Sequence, residues 1–148
     1  MSQSLARNAI HLIFSTKNRQ PLILPAVRDE LFNYLGGILK AINCPPIRVG
    51  GVADHVHLLF TLSKTITLAK AVEEVKKESS KWAKGKVNPK FYWQTGYGAF
   101  SVSASQEDAV AAYIDNQEKH HEKRTFQEEF REFLRKHRVE FNEEYVWD

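Results

Sequence analysis

At 148 residues, 43% hydrophobic and 11% aromatic, the chain has the size and composition of one globular domain, able to bury roughly 68–70% of its unfolded surface. Its single cysteine, Cys44, excludes an intrachain disulfide, and its longest strictly apolar run, Ala109–Ile114, is too short for a membrane-spanning helix. The net charge of +3 conceals an asymmetry, because residues 1–106 carry 14 Lys and Arg against 6 Asp and Glu, while residues 107–148 carry 7 against 12.

The first excess, a net of +8, suits a polyanionic partner through release of phosphate counterions. One thiol without a CxxC partner and an opening, MSQSLARNAIHLIF, without a signal-peptide pattern make the cytoplasm the expected compartment. No contact with a membrane is expected.

In chain order, NAIHLIFST (8–16) reads as a strand ending at the polar turn KNRQ. Pro25 suits the first position of a helix whose apolar face holds Leu31, Leu35, Ile38, Leu39 and Ile42. NCPP breaks the chain before a second strand, IRVGGV, and Ala53-Asp54 links it tightly to a third, HVHLLF. Thr67 can cap a helix running to about Lys84. FYWQTGYGAFSVSAS then reads as a fourth strand, or a pair broken at Gly96. The order β-α-β-β-α-β predicts an α+β, ferredoxin-like sheet with these helices on one face.

Two further helices follow, each with a candidate capping box: Ser105 with Asp108, and Thr125 with Glu128. The expected division is a core of about residues 8–104, a helix of about 105–123, and a C-terminal helix and tail of about 125–148. For the tail, packing on the sheet or at a dimer contact is the default.

The chemical interest lies in GGVADHVHLLFTL, residues 50–62. Strand alternation puts Val56, Leu58, Phe60 and Leu62 on the face that the helices cover. His55 and His57 then lie side by side on the opposite face, which is expected to be open. A lone HxH is a weak signal. A third alternating histidine is absent (Leu59), as are a second H-x-[ST] and an HExxH, so histidine-triad hydrolases, two-histidine phosphoesterases and zinc peptidases are excluded. A two-histidine site still wants a third ligand and a nucleophile. In YIDNQEKHH, Tyr113 and Gln117 are i and i+4 on one helix face. An amide carbonyl suits Mg²⁺ or Mn²⁺. A tyrosine hydroxyl, with a pKa of about 10, attacks phosphate only with help from a nearby charge.

These parts together resemble the HUH single-tyrosine transposases of the insertion-sequence type and their relatives associated with repetitive palindromes. The resemblance runs through HLIFSTKNRQPLI, GGVADHVHLLF, FYWQTGYGAFSVS, YIDNQEKHH and TFQEEF. It implies a ferredoxin-like fold, a homodimer, and a divalent metal ion, Mg²⁺ or Mn²⁺, held by His55, His57 and Gln117. It makes Tyr113 the nucleophile in cleavage and rejoining of single-stranded, hairpin-forming DNA through a 5′-phosphotyrosine. It also implies that the tyrosine helix can dock on the partner subunit, for which SVSAS, small, polar and without proline, would serve as an extended or mobile connection.

Lys17, Arg19, Lys76, Lys77, Lys81 and Lys84 are the candidate DNA contacts, while His120 and His121 belong to a DNA contact, a proton path or a solvated helix end. Two alternatives carry different functions. One is a non-catalytic RRM-like module, disfavoured by the lack of a GFGFV-type aromatic motif. The other is a host-retained endonuclease that processes palindromes.

Overall fold

The computed structural model describes residues 2–148. Its elements are β1 (Ala9–Ser15), α1 (Pro25–Ala41), β2 (Pro46–Gly51), β3 (His55–Thr61), α2 (Leu68–Lys86), β4 (Gly98–Val102), α3 (Glu107–Asp115), α4 (Gln117–His120) and α5 (Phe126–Lys136). The expected β-α-β-β-α-β order forms one sheet in the order β2-β3-β1-β4, with every pairing antiparallel. This is the ferredoxin-like arrangement. Its two central strands are β1 and β3, the strands that carry His11, His55 and His57.

Period-two alternation decides the first core. Leu12 pairs with Leu58 and Phe14 with Val56, and these side chains meet Leu31, Leu35 and Leu39 of α1 and Val72 and Val75 of α2. Pro25 opens α1, where its missing N–H costs nothing. The Thr67 hydroxyl accepts from the Lys70 N–H at 3.1 Å and caps α2.

The opposite face is not open, contrary to the expectation from the strand pattern. Leu59 packs against Ala111 and Ile114 of α3, while Ile13 and Phe100 pack against Phe126, Phe130 and Leu134 of α5. The sheet presents apolar side chains on both faces, and the two C-terminal helices each carry an apolar stripe that needs a partner. His55 and His57 are consequently buried, with no exposed surface.

Two glycines set how closely the covering helices approach. A Cβ on Gly50 would lie 2.7 Å from Ile114 Cγ2, and one on Gly98 would lie 2.5 Å from Phe130 Cε1. Each glycine thus seats the residue next to a polar group of interest, Tyr113 in one case and Glu129 in the other.

The connections also differ from expectation. The Ser105–Asp108 capping box does not form; residues 104–106 make a 3-10 turn, and Glu107 in the first turn of α3 is ion-paired with Arg7. The helix expected over 105–123 is divided at Asn116 into α3 and α4. The Thr125–Glu128 capping box does form and starts α5. The tail folds back on its own chain. Trp147 lies beneath the guanidinium groups of Arg131 and Arg19, and the Asp148 carbonyl accepts from the Gly96 N–H at 2.7 Å. Among the described residues, no helix is long and apolar enough to cross a membrane.

Substitutions at two glycines should move stability in opposite directions. Gly98→Val forces α5 away from the sheet and should cost about 1–3 kcal/mol in urea unfolding. Gly85→Ala, in α2 with nothing within 4 Å of the added Cβ, should stabilise by about 0.5–1 kcal/mol.

Candidate active site

The site grows from the centre of the sheet. β3 aims His55 and His57 toward the C-terminal helices, and each ring is fixed through Nδ1. His55 Nδ1 lies 2.7 Å from Asp54 Oδ1, in the tight link between β2 and β3. His57 Nδ1 lies 2.8 Å from His11 Nε2 on the neighbouring strand. Because a carboxylate only accepts, His55 Nδ1 carries a proton, and Nε2 turns inward.

The break at Asn116 leaves Tyr113 at the end of α3 and Gln117 at the start of α4, both facing β3. Gln117 Oε1 is 3.0 Å from His55 Nε2, and the Tyr113 ring packs edge-on against His57 at 5.9 Å. Four candidate residues, His55, His57, Tyr113 and Gln117, are therefore brought together. They all belong to one chain. β4 passes into α3 through one 3-10 turn.

The residue that sequence reasoning missed is Glu129. It is 1% exposed and sits among four histidines. Its Oε1 lies 3.1 Å from His57 Nε2 and 3.2 Å from both His55 Nε2 and His121 Nε2. Its Oε2 accepts from the Tyr113 hydroxyl and from Gln117 Nε2, the latter at 3.1 Å. His120 Nε2 lies 3.0 Å from the Tyr113 hydroxyl. One signal was available: position 129 falls three residues after Phe126 and four before Phe133, inside the apolar stripe of α5, where an acidic residue needs a reason.

Burial and charge set the protonation states. Burial pushes His11 well below its ordinary value, aided by His57, so its ring is neutral. Burial also lowers His57, outweighing its contact with Glu129. For His55 burial is again the largest influence, but the hydrogen bonds and charges of Asp54 and Glu129 together exceed it and raise the ring to about 9. Burial opposes ionisation of Glu129, yet its contacts with His121, His55 and His57 hold it well below the usual carboxylate range. Burial and the Glu129 charge push the Tyr113 hydroxyl upward.

Beside Tyr113 a cleft of about 260 Å³ opens to solvent. Its lining includes Glu129, Gln106 and Phe133, with Arg124 and Lys136 supplying positive charge.

The candidate DNA contacts lie elsewhere. α2 packs on the sheet face opposite α3 and α5, so Lys77 and Lys81 are remote from the tyrosine, and both pair with Glu78, Lys77 also with Glu74. Lys17 and Lys84 lie over the exposed Tyr92 ring, and Arg19 over Trp147. Lys76 is corrected to a structural role. Its ammonium donates to the carbonyls of Gln94, Thr95 and Gly96 at 2.6–3.0 Å, and burial lowers its pKa to about 8. A cation held by three carbonyls has no donor left for phosphate.

Residues 4–117 match the family model described as "Transposase IS200 like". Two solved structures share the fold. One is a candidate transposase of Deinococcus radiodurans R1, 23% identical with a TM-score of 0.63, over 79% of this chain and 98% of that one. The other is a REP-associated tyrosine transposase bound to a REP hairpin, 13% identical with a TM-score of 0.59, over 82% of this chain and 74% of that one. No curated protein matches the sequence.

The raised His55 makes metal-free stability depend on pH. Its folded value of about 9 exceeds the ordinary 6.5, so its contribution is complete below pH 6.5 and is lost as pH rises through 9. Calorimetric melting in chelator should show Tm falling between pH 6.5 and 9. His55→Gln should flatten that slope.

Proposed function

The chain belongs to the IS200-like transposase family, enzymes of DNA transposition, and from that premise we propose that it cleaves and rejoins single-stranded DNA with Tyr113 as nucleophile. One observation carries the reading: Tyr113 lines a solvent-open cleft while its hydroxyl touches both a buried carboxylate and an imidazole. A tyrosine that only packed would have no use for either.

In this reading a phosphodiester enters the cleft past Arg124 and Lys136. The Tyr113 oxygen attacks phosphorus, an O–P bond forms, and the bond from phosphorus to the 3′ oxygen breaks. The 5′ phosphate stays on the tyrosine, and the 3′ oxygen leaves as a hydroxyl by taking a proton from solvent, which it gives back when it attacks in rejoining. Rejoining is the reverse attack, which needs no nucleotide hydrolysis because the adduct keeps a phosphodiester.

Burial and the Glu129 charge keep Tyr113 protonated before attack, so its proton must depart during the step. Two acceptors are in reach. Glu129 is held strongly acidic and is a weak base. His120, lowered by burial, is neutral at pH 7 and is the stronger base. His120 therefore takes the proton in cleavage and returns it in rejoining, while Glu129 orients the hydroxyl.

The donor set also fits a divalent cation, Mg²⁺ or Mn²⁺, held by His55, His57 and Gln117. Inward-facing Nε2 atoms with Nδ1 fixed by outer partners are the arrangement that metal-binding histidines use. His121 Nε2 is moreover buried there without a hydrogen-bond partner. Bound there, the cation would offset the charge that develops on the phosphate oxygens.

The structure disfavours a non-catalytic RRM-like module, because such modules stack bases on an exposed sheet face and this one is covered by α3 and α5. A mobile and a host-retained enzyme would share the same chemistry. The relative bound to a REP hairpin makes hairpin-bearing single strands the first substrate to try.

Incubation with such oligonucleotides and Mn²⁺ should yield a covalent protein–DNA band on denaturing gels. Tyr113→Phe should abolish the band and leave DNA binding nearly intact; a persisting adduct would move the nucleophile elsewhere. His120→Ala should slow adduct formation by about 10²-fold or more, with metal affinity retained. Lys136→Ala should weaken single-strand binding and reduce the log–log salt slope by about 0.7.

A further inference from the structure

The metal reading above uses His55, His57 and Gln117 as ligands, and gives His121 and Glu129 no place among them. Both lie at the same centre, and their geometry is informative. Three imidazole Nε2 atoms, from His55, His57 and His121, converge on one oxygen, Glu129 Oε1, at 3.1–3.2 Å. Donor atoms of His55, His121 and Glu129 all lie within 4.8 Å of one another, and His57, outside that group, joins it through Glu129 Oε1 at 3.1 Å. Ligands held at ~2.1 Å from a common ion are ~3.0 Å apart at a right angle and ~3.4 Å apart at a tetrahedral one. The separations from each nitrogen to Oε1 fall between these values.

Each ring is also held through its outer nitrogen, which leaves Nε2 facing the centre. His121 Nδ1 lies 2.7 Å from the Arg124 carbonyl, which only accepts, so the proton sits on Nδ1 and Nε2 is bare in the neutral ring. Asp54 likewise fixes His55 Nδ1 as a donor, so a metal would take Nε2 in place of the proton there. For His57 the outer partner is the buried His11. His121 Nε2 faces Glu129 Oε1 yet makes no hydrogen bond. A nitrogen lone pair set against a carboxylate oxygen is unfavourable, so this buried pair needs a cation between the two, a proton or a metal ion.

We propose that His121 and Glu129 are ligands of the bound metal, giving a site of three imidazoles and one carboxylate in which Gln117 is an outer or additional donor. This rests on the metal reading of the preceding subsection and alters its consequence. Three nitrogens favour later transition ions over Mg²⁺, which prefers oxygen and retained water. Mn²⁺ should bind far more tightly than Mg²⁺, and Zn²⁺ more tightly still. The carboxylate on α5 also makes the metal a clasp between β3 and the C-terminal helices.

The test is metal binding by the whole chain, read without DNA. Mn²⁺ alone is titrated by calorimetry, and the bound ion's nitrogen ligands are counted by pulsed electron paramagnetic resonance. The wild type should show three imidazole nitrogens. His121→Asn keeps a donor for the Arg124 carbonyl while removing the inward nitrogen, and should show two. Glu129→Gln preserves volume and removes the charge. Both variants should bind Mn²⁺ at least tenfold more weakly, with circular dichroism and melting in chelator confirming that each is folded. Should either fail to fold, the nitrogen count of the wild type decides alone. Two nitrogens in the wild type, or unchanged affinity in both folded variants, would overturn the proposal and leave the two-histidine metal reading standing. Failure of the wild type to bind Mn²⁺ or Zn²⁺ would overturn both, while a Tyr113-dependent adduct formed in chelator would still preserve the nucleophile.

Discussion

A buried carboxylate is the constraint around which this molecule is arranged. Glu129 is almost wholly enclosed, and an ionised carboxylate taken from water without partners carries a penalty of several kcal/mol. Four histidines, an amide and a phenol surround it instead. These partners come from β3, the end of α3, α4 and the turn that follows. No single element can satisfy the charge, so the C-terminal helices and the sheet must meet in one register. Buried polar clusters of this kind are weak sources of stability, since an apolar packing of equal volume often does as well. Their presence at the centre of a sheet is accordingly a functional statement.

The surrounding packing serves that centre. The face of the sheet toward α1 and α2 is wholly apolar and closes the ordinary core. The other face is divided: Leu59, Ala111 and Ile114 form an apolar cluster with α3, Ile13, Phe100, Phe126, Phe130 and Leu134 form one with α5, and the histidines lie between them. These walls exclude water and strengthen every electrostatic contact inside. Tyr113 lines the cleft and is half-buried, while His55 and His57 stay fully buried. Close approach of the helices is permitted by two small residues, Gly50 beneath Ile114 and Gly98 beneath Phe130.

Charge and chemistry are separated along the chain in an instructive way. The net positive part of the sequence is residues 1–106, yet α2, its most lysine-rich helix, covers the far side of the sheet from the tyrosine. The cations at the cleft, Arg124 and Lys136, come from the net acidic C-terminal part. Regional net charge therefore says little about which cation meets a substrate. A ferredoxin-like sheet likewise says little about function, because the fold supports binding modules and enzymes alike. What distinguishes this chain is the covered face and the tyrosine set against it.

Local rules account for much of what the sequence determined by itself. Alternation in HVHLLFT placed His55 and His57 on one face and Val56, Leu58 and Phe60 on the other, since strand periodicity needs no tertiary information. Pro25, Thr67 and the Thr125–Glu128 capping box marked helix starts that the fold uses, because a cap is satisfied within a few residues. The i, i+4 spacing of Tyr113 and Gln117 survived even the break at Asn116. Tertiary structure alone decided that the histidine face is covered, that Lys76 binds carbonyls of the loop before β4, and that Glu129 is the hub of the site. Each of these depends on contacts between segments far apart in the chain. An acidic residue in an apolar stripe announces that it needs a partner, but only the packing of α5 against β3 brings the histidines to it.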